Sequence, residues 1–125
     1  MEKLPFFDGG TGVSGSLIEK AEFLLNVRFS NDYKEYLRAY GTASVDGHEL
    51  TGIHSSKRLN VVDVTLSEKN QNHDIPPDWY VVEQTHIDGI VIWQNEKGHI
   101  YQTCPGYSPQ KIADSIIEYL YLDVE

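Results

Sequence analysis

Apolar residues occur along this chain in short runs separated by polar and glycine-rich stretches, and the clearest run is Ile-Val-Ile-Trp at residues 90–93. A strand that is apolar at every position is typical of one covered on both faces. Loop-forming residues follow at 95–98, and the strand pattern resumes at Ile100 and Tyr101. The pattern therefore predicts a β-hairpin whose first strand lies inside a sheet, with other elements packed against it.

Two short helices are predicted in the first third of the chain. Ser16 and Glu19 have the spacing of a capping box, so a helix is expected to begin there. Its apolar face would consist of Leu17, Ala21, Leu24 and Leu25. A second helix is expected to begin at the N-cap Ser30 and to end at Gly41. Its buried stripe would consist of Tyr33, Tyr36, Leu37 and Tyr40.

The rest of the chain predicts strands with one helix between them and another helix at the end. Residues 48–51 and 79–83 have the composition of strands. Residues 61–66, behind Asn60, allow a strand by β-branching and a helix by spacing, and we favour the helix. Ser108 and Pro109 predict the start of a closing helix. Its apolar positions would be Ile112, Ile116 and Leu120.

These elements predict an α+β fold formed by a single domain over residues 1–125. A curved, mostly antiparallel sheet would be flanked by two N-terminal helices and one C-terminal helix. Residues 1–15 are rich in glycine and are expected to form an irregular arm. A chain of 125 residues buries roughly two-thirds of its unfolded surface without a disulfide or metal. A monomer and a weak homodimer through a sheet edge both stay open.

Acidic residues are distributed unevenly along the chain, whose net charge is −9. Residues 70–96 and 112–125 contain acids and neither lysine nor arginine. Such a chain repels phosphate backbones, so we expect no direct contact with nucleic acid. A basic protein partner would instead be attracted, although acidic residues also serve solubility alone.

No pattern of residues predicts catalysis, a metal site or a cofactor. The five histidines show neither an i, i+4 pair nor a short ligand spacing with Cys104. Cys104 could be a nucleophile served by His86 or His99, but a lone cysteine before Pro-Gly is more often a small buried residue. One cysteine, the lack of a signal segment and the lack of a long apolar run predict a cytoplasmic protein with no membrane association.

Several stretches, taken in order, resemble the SUKH superfamily of Smi/Knr-like domains. Residues 18–41 resemble its opening helix pair that ends in a glycine, and residues 60–65 resemble its mid-chain helix. Residues 75–82, Asp88-Gly89 and the hairpin with Lys97-Gly98-His99 follow, and residues 112–120 resemble the closing helix. The resemblance spans about residues 16–122.

The resemblance implies an immunity protein, or antitoxin, that binds and neutralises a cognate secreted toxin, and it implies no catalytic residues. Similar proteins of Gram-positive bacteria accompany LXG-type toxins, often with nuclease tips, so we expect a basic nuclease as partner and favour a ribonuclease. Clustered carboxylates would steer such a partner and replace its phosphates. The alternative is a general acidic interaction module with several partners.

The toxin-facing surface is expected in the base-free segment of residues 70–96. The candidate carboxylates are Asp74, Asp78, Glu83, Asp88 and Glu96. Trp79 or Tyr80 is expected to act as an aromatic anchor beside them. Charge reversal at these positions is expected to weaken binding of the partner.

Overall fold

The structure, a computed structural model, describes residues 1–122 of the chain. The helices are α1 (Gly15–Leu25), α2 (Asn31–Tyr40), α3 (Val61–Gln71) and α4 (Ile116–Tyr121). The strands are β1 (Asp8–Gly9), β2 (Ala43–Val45), β3 (His48–Leu50), β4 (Tyr80–Gln84), β5 (Val91–Gln94), β6 (Ile100–Thr103) and β7 (Gln110–Ala113). Helix α3 confirms the helical alternative for residues 61–66.

The seven strands form one antiparallel sheet whose spatial order equals their order in the chain, and the sheet does not close into a barrel. This confirms the predicted α+β class and antiparallel sheet. Strand β5 lies between β4 and β6, and Trp93 pairs with Val81 on one side and Tyr101 on the other. All four residues of β5 are buried. The prediction of a hairpin with an internal first strand is therefore confirmed.

The two faces of the sheet are covered differently, because side chains alternate along each strand. The face that bears Tyr80 and Ile92 packs against α1, α2 and α4, and we call it the covered face. The opposite face bears Val81 and Trp93, and α3 packs on it through Val64. We call it the open face, because α3 leaves part of it without a covering helix.

A buried hydrogen-bond network joins the covered face to two helices. The side-chain oxygen of Gln94 accepts from the Tyr80 hydroxyl (2.8 Å), and its amide nitrogen donates to the Asp32 carboxylate (3.0 Å). Asp32 also accepts from the Ser30 hydroxyl and from the backbone N–H of Ile116 (2.9 Å), the first residue of α4. Ser30 is the N-cap of α2, as predicted. One carboxylate thus holds α2, β5 and α4 together.

Helix α1 begins earlier than predicted and buries a different face. Its N-cap is Ser14, whose hydroxyl accepts from the N–H of Leu17, and not Ser16. Leu17 and Leu24 of the predicted face are exposed. The buried residues of α1 are Ile18, Ala21 and Leu25. The predicted face was right for Ala21 and Leu25 and wrong for Leu17 and Leu24, because apolar residues occur around more than half of this helix and contact with its neighbours decides which of them are buried.

The predicted closing helix from Ser108 and Pro109 was wrong. Residues 110–113 form the edge strand β7 on β6, and α4 begins only after Ser115. The i, i+4 recurrence of apolar residues runs across both elements, with Ile112 in β7 and Ile116 in α4. Pairing with the free edge of β6 overrides the local helix signal, and a proline just before an edge strand removes no ladder hydrogen bond.

The glycine-rich arm, residues 1–15, contains more structure than an irregular segment. Asp8 and Gly9 form β1, which pairs with β2 at the edge of the sheet. Leu4 is buried in the core, and the ring of Phe7 packs edge-on against Tyr40 with centroids 4.9 Å apart. Helix α1 already begins at Gly15. The arm therefore extends the sheet.

Candidate functional site

Glu83 is buried, which removes it from the candidate surface. A register shift between Val81 and Glu83 places Glu83 opposite Ile92, so its side chain lies on the covered face. Its carboxylate accepts a hydrogen bond from the Tyr119 hydroxyl and lies 2.8 Å from Nδ1 of His48. Glu83 therefore joins β3, β4 and α4, and the burial that this requires could not be read from the acidic pattern.

The two candidate aromatic anchors are core residues. Trp79 is 7% exposed, and its ring stacks on Tyr101 with centroids 4.2 Å apart. Tyr80 is completely buried, and burial raises the pKa of its hydroxyl well above the usual value. That hydroxyl accepts from the backbone N–H of Ser30 (2.9 Å) in the network described above. Both aromatics position strands and present no exposed ring to a partner.

The other four candidate carboxylates are exposed and lie at two ends of the sheet. Because β4 and β5 are antiparallel neighbours, Asp78 before β4 and Glu96 after β5 lie at the same end, which we call the hairpin end. Asp88, in the loop that joins β4 to β5, lies at the opposite end. Asp74 also lies there, on the rim of a groove. We call this second end the groove end.

The groove has a volume of about 870 Å³ and lies on the open face at its groove end. Val91, Trp93 and Thr103 form its floor. Its walls are the last turn of α3 with residues 72–75, the β4–β5 loop and the β6–β7 loop. The indole N–H of Trp93 donates to the Thr103 hydroxyl (2.9 Å), and all three floor residues are buried, so the floor is closed and its polar groups are paired within the fold.

The groove end is negatively charged without a compensating cation in its lining. Glu68 and Asp74 line the groove, and among the described residues no lysine or arginine does. Burial raises the pKa of Glu68, against the lowering effects of a hydrogen bond with Gln84 and the nearby His86. Arg58 does not line the groove either, and both its terminal nitrogens bind Glu49, at 2.9 and 3.1 Å.

The hairpin end, in contrast, carries two lysines. Lys69 of α3 donates to the carbonyl oxygen of Pro77 (2.8 Å); burial lowers its pKa, and the charge of Asp78 acts in the opposite direction. Lys97 directly follows Glu96 in the β5–β6 loop. These lysines bracket the base-free segment in the sequence, and the fold brings both of them to the hairpin end.

The β4–β5 loop, residues 85–90, has a fixed and unusual backbone. His86, Asp88 and Gly89 have φ values of 58°, 53° and 72°. Positive φ at a non-glycine residue costs about 1–3 kcal/mol and persists only where the surrounding contacts enforce it. The Thr85 hydroxyl donates to the carbonyl oxygen of Ile90 (2.8 Å), and its oxygen accepts from the loop's own backbone at residue 87 (3.2 Å). These bonds hold the loop as one wall of the groove.

A second loop supports the first. A Cβ atom at Gly89 would lie 2.9 Å from the ring of Pro105, so the β4–β5 and β6–β7 loops are in close contact at this point. Ile87 in the first loop is 62% exposed, and Tyr107 in the second is 77% exposed. The groove end therefore combines carboxylates with two accessible apolar side chains on a supported backbone.

Sequence reasoning missed Glu68, Ile87 and Tyr107 as members of this site. Glu68 falls outside the base-free segment because Lys69 follows it, although the two side chains lie at different ends of the sheet. Ile87 stands in a polar loop between His86 and Asp88, and an isolated apolar residue there was the only available signal.

The exposed carboxylates and apolar side chains of the groove end suit recognition by charge and apolar contact. Within residues 1–122, no three His, Cys, Asp or Glu side chains lie close enough together to hold a metal ion. The thiol of Cys104 is half-buried and lies 3.9 Å from the carbonyl oxygen of Asp88. In this part of the chain, no helix has the length and apolar character needed to span a membrane.

The SUKH_5 family model, described as SMI1-KNR4 cell-wall, matches residues 8–124. The chain belongs to the SUKH family. The match runs from the first residue of β1 past the end of α4, so the groove and both acidic ends are parts of the SUKH domain. No curated protein matches the chain. SUKH proteins act in toxin immunity by binding, and membership supports an immunity role for this chain at that level.

Proposed function

We propose that this SUKH protein is an immunity protein that binds a basic toxin domain and neutralises it by protein–protein contact. The observation that carries the proposal is an acidic groove, uncompensated by lysine or arginine among its lining residues, on one face of a sheet whose other face is closed by helices. We further propose that the toxin is a nuclease of the LXG type, with a ribonuclease favoured over a deoxyribonuclease, and that the inhibitor acts in the cytoplasm.

The physical basis is the charge that any nuclease needs. An enzyme that holds phosphates presents lysine and arginine around its active site. Exposed carboxylates steer such a surface into an encounter and then occupy the positions of the phosphates. The four exposed candidates, Asp74, Asp78, Asp88 and Glu96, are available for this, and Glu68 adds a fifth carboxylate from the groove wall.

The test uses the purified chain and a panel of purified basic ribonuclease domains from LXG toxins, with RNA cleavage as readout. We expect one domain to be inhibited at a 1:1 ratio, with a Kd below about 10 nM, typical of dedicated inhibitors. Inhibition of no domain would contradict the proposal. Weak binding of several domains at similar affinity would support the general interaction module instead.

A charge-matched pair of variants separates recognition from net charge. The first variant combines Asp74→Asn, Asp78→Asn, Asp88→Asn and Glu96→Gln. The control removes the same charge elsewhere through Asp8→Asn, Glu19→Gln, Glu35→Gln and Asp46→Asn. We expect the association rate to fall about tenfold more in the first variant than in the control at low salt, since steering depends on local charge. Equal rates for the two variants would exclude these carboxylates from the encounter surface.

A further inference from the structure

The four exposed candidate carboxylates do not lie in equivalent surroundings. Each end of the sheet has two of them, but only Asp74 and Asp88 belong to the groove end. At the hairpin end, Lys69 and Lys97 reduce the field of Asp78 and Glu96. A basic partner is therefore attracted more strongly to the groove end than the sequence alone would suggest.

Resting on the proposed function, we propose that the groove end alone docks the toxin, and that it takes a basic loop in which an apolar side chain stands beside lysine or arginine. The carboxylates of Glu68, Asp74 and Asp88 would pair with the cations of that loop. Its apolar side chain would contact the exposed side chains of Ile87 and Tyr107, above a closed floor formed by Val91 and Trp93.

The shape of the site supports a loop as the occupant. A groove of about 870 Å³ is large enough for several side chains, and no lysine or arginine in its lining repels a cation. Exposed Ile87 and Tyr107 stand on the two contacting loops at this end and provide apolar contact outside the floor. A wholly polar segment would leave these apolar surfaces unused, and an acidic segment would be repelled by the carboxylates.

The supported loop favours a preformed site. Binding that does not have to order the β4–β5 loop avoids the entropy that ordering costs. The Thr85 hydroxyl bonds and the contact of Gly89 with Pro105 already hold this loop in the free chain. The strain at His86 and Asp88 is consistent with a loop that is held in place for recognition.

The first experiment probes the groove without the toxin. The full ¹⁵N-labelled chain is titrated with the capped tripeptide Arg-Leu-Arg, and with Glu-Leu-Glu and Arg-Gly-Arg as controls. We expect amide shifts at residues 68, 86–89, 104, 106 and 107 with Arg-Leu-Arg, weaker shifts with Arg-Gly-Arg and none with Glu-Leu-Glu. Equal shifts with both arginine peptides, shifts confined to the Asp78 and Glu96 end, or no shifts would overturn the proposal.

The second experiment uses two double variants with the same change in charge. Asp74→Asn with Asp88→Asn alters the groove end, and Asp78→Asn with Glu96→Gln alters the hairpin end. Asparagine is chosen at position 88 because it tolerates the positive φ found there. We expect inhibition of the cognate toxin to weaken about tenfold in the first variant and less than about twofold in the second.

The outcomes separate this inference from the function on which it rests. Equal weakening of toxin inhibition by both variants would refute docking at the groove end while leaving immunity intact. Failure of the unmodified chain to inhibit any toxin would refute the proposed function, and the peptide titration would still decide whether the groove binds a basic apolar segment. Sedimentation of the free chain completes the test, because a dimer lost only in the groove variant would assign the groove to a second copy and overturn the proposal.

Discussion

On the covered face of the sheet, three helices pack against alternate residues of the central strands, and the network of Asp32 and Gln94 joins two of them, α2 and α4, to β5. On the open face, α3 packs over only part of the same strands, and the groove occupies the rest of that surface at one end. Among the described residues, no buried side-chain nitrogen or oxygen lacks a hydrogen-bond partner. The polar groups of the covered face are thus used within the fold, while those at the groove end remain available to a partner.

The acidic residues show the same contrast. Glu83 accepts from Tyr119 of α4, and Asp32 of α2 accepts from Gln94 of β5, so both carboxylates join strands to helices. Asp74 and Asp88 are exposed beside a groove. We therefore propose that carboxylates that look alike in the sequence serve stability on one face and recognition on the other, and variants should separate the two roles.

The largest effect is expected on the covered face. Asp32→Ala removes the acceptor shared by Ser30, Gln94 and the first N–H of α4, and should lower the free energy of unfolding by about 2–3 kcal/mol. The control Asp74→Ala, at the groove, should change it by less than about 0.5 kcal/mol. Urea unfolding measures both values, and similar losses in the two variants would contradict the division of roles.

Alkaline pH should affect the covered face next. Burial raises the pKa of Tyr33, Tyr36 and Tyr80, so the folded chain keeps these hydroxyls protonated where the unfolded chain loses its protons. Stability is then fully present below about pH 10 and should fall by about 1 kcal/mol per buried tyrosine between pH 10 and 11. Tyr80→Phe should reduce this fall in urea unfolding. The exposed control Tyr107→Phe should leave it unchanged, and a slope that neither variant alters would refute the assignment.

Apolar contact at the groove end should affect affinity and not stability. Ile87→Ser is expected to weaken inhibition of the cognate toxin about fivefold, because burying about half of an isoleucine side chain against a partner strengthens binding by about that factor. Leu24→Ser is the matched control, since Leu24 is 52% exposed on α1, away from the groove lining. Unfolding free energies should stay within about 0.5 kcal/mol of the unmodified chain. Equal inhibition by the two variants would remove Ile87 from the interface.

The smallest effect should reveal a trade-off at Glu68. Burial raises the pKa of this carboxyl, so its charge destabilises the fold at neutral pH. Glu68→Gln should therefore stabilise the chain by a few tenths of a kcal/mol, a small gain because water still screens the group. The gain should fade as the pH falls through the folded pKa and be absent below about pH 4, where the unfolded carboxyl is protonated too.

Glu68→Gln should also affect binding of the toxin. The same variant should weaken toxin inhibition, because it removes one of the groove's carboxylates. Glu96→Gln, at the hairpin end, is the control for both measurements. A Glu68 variant that is less stable than the unmodified chain at pH 7 would show that this carboxylate supports the fold. A variant that inhibits the toxin equally well would remove Glu68 from the interface.

Much of the fold could be predicted from local signals in the sequence. The all-apolar run of β5, the cap at Ser30 and the glycine at position 41 each specify their own structure, and the structure agrees with them. The closing segment could not be predicted in this way. Whether residues 110–113 form a helix or a strand depends on the free edge of β6, which is a tertiary partner and not a local property.

The candidate site was predictable only in part for a similar reason. The base-free acidic segment contains Asp74 and Asp88, which are exposed at the groove end, but alternation and a register shift turn the side chain of Glu83 into the core. The groove itself arises because α3 is too short to cover the open face, and no pattern of residues in the sequence predicts this uncovered area. The separation of Lys69 from Glu68, adjacent in the chain, likewise appears only in three dimensions.

The central claim is that the open face at its groove end is where the partner docks. Amide hydrogen exchange of the full chain, measured with and without the toxin domain that it inhibits, tests this most directly. The account predicts new protection at residues 86–89, 104, 106 and 107, with the loop at 95–99 unchanged. Protection confined to residues 95–99, or to the outer surface of α1 and α2, would contradict it.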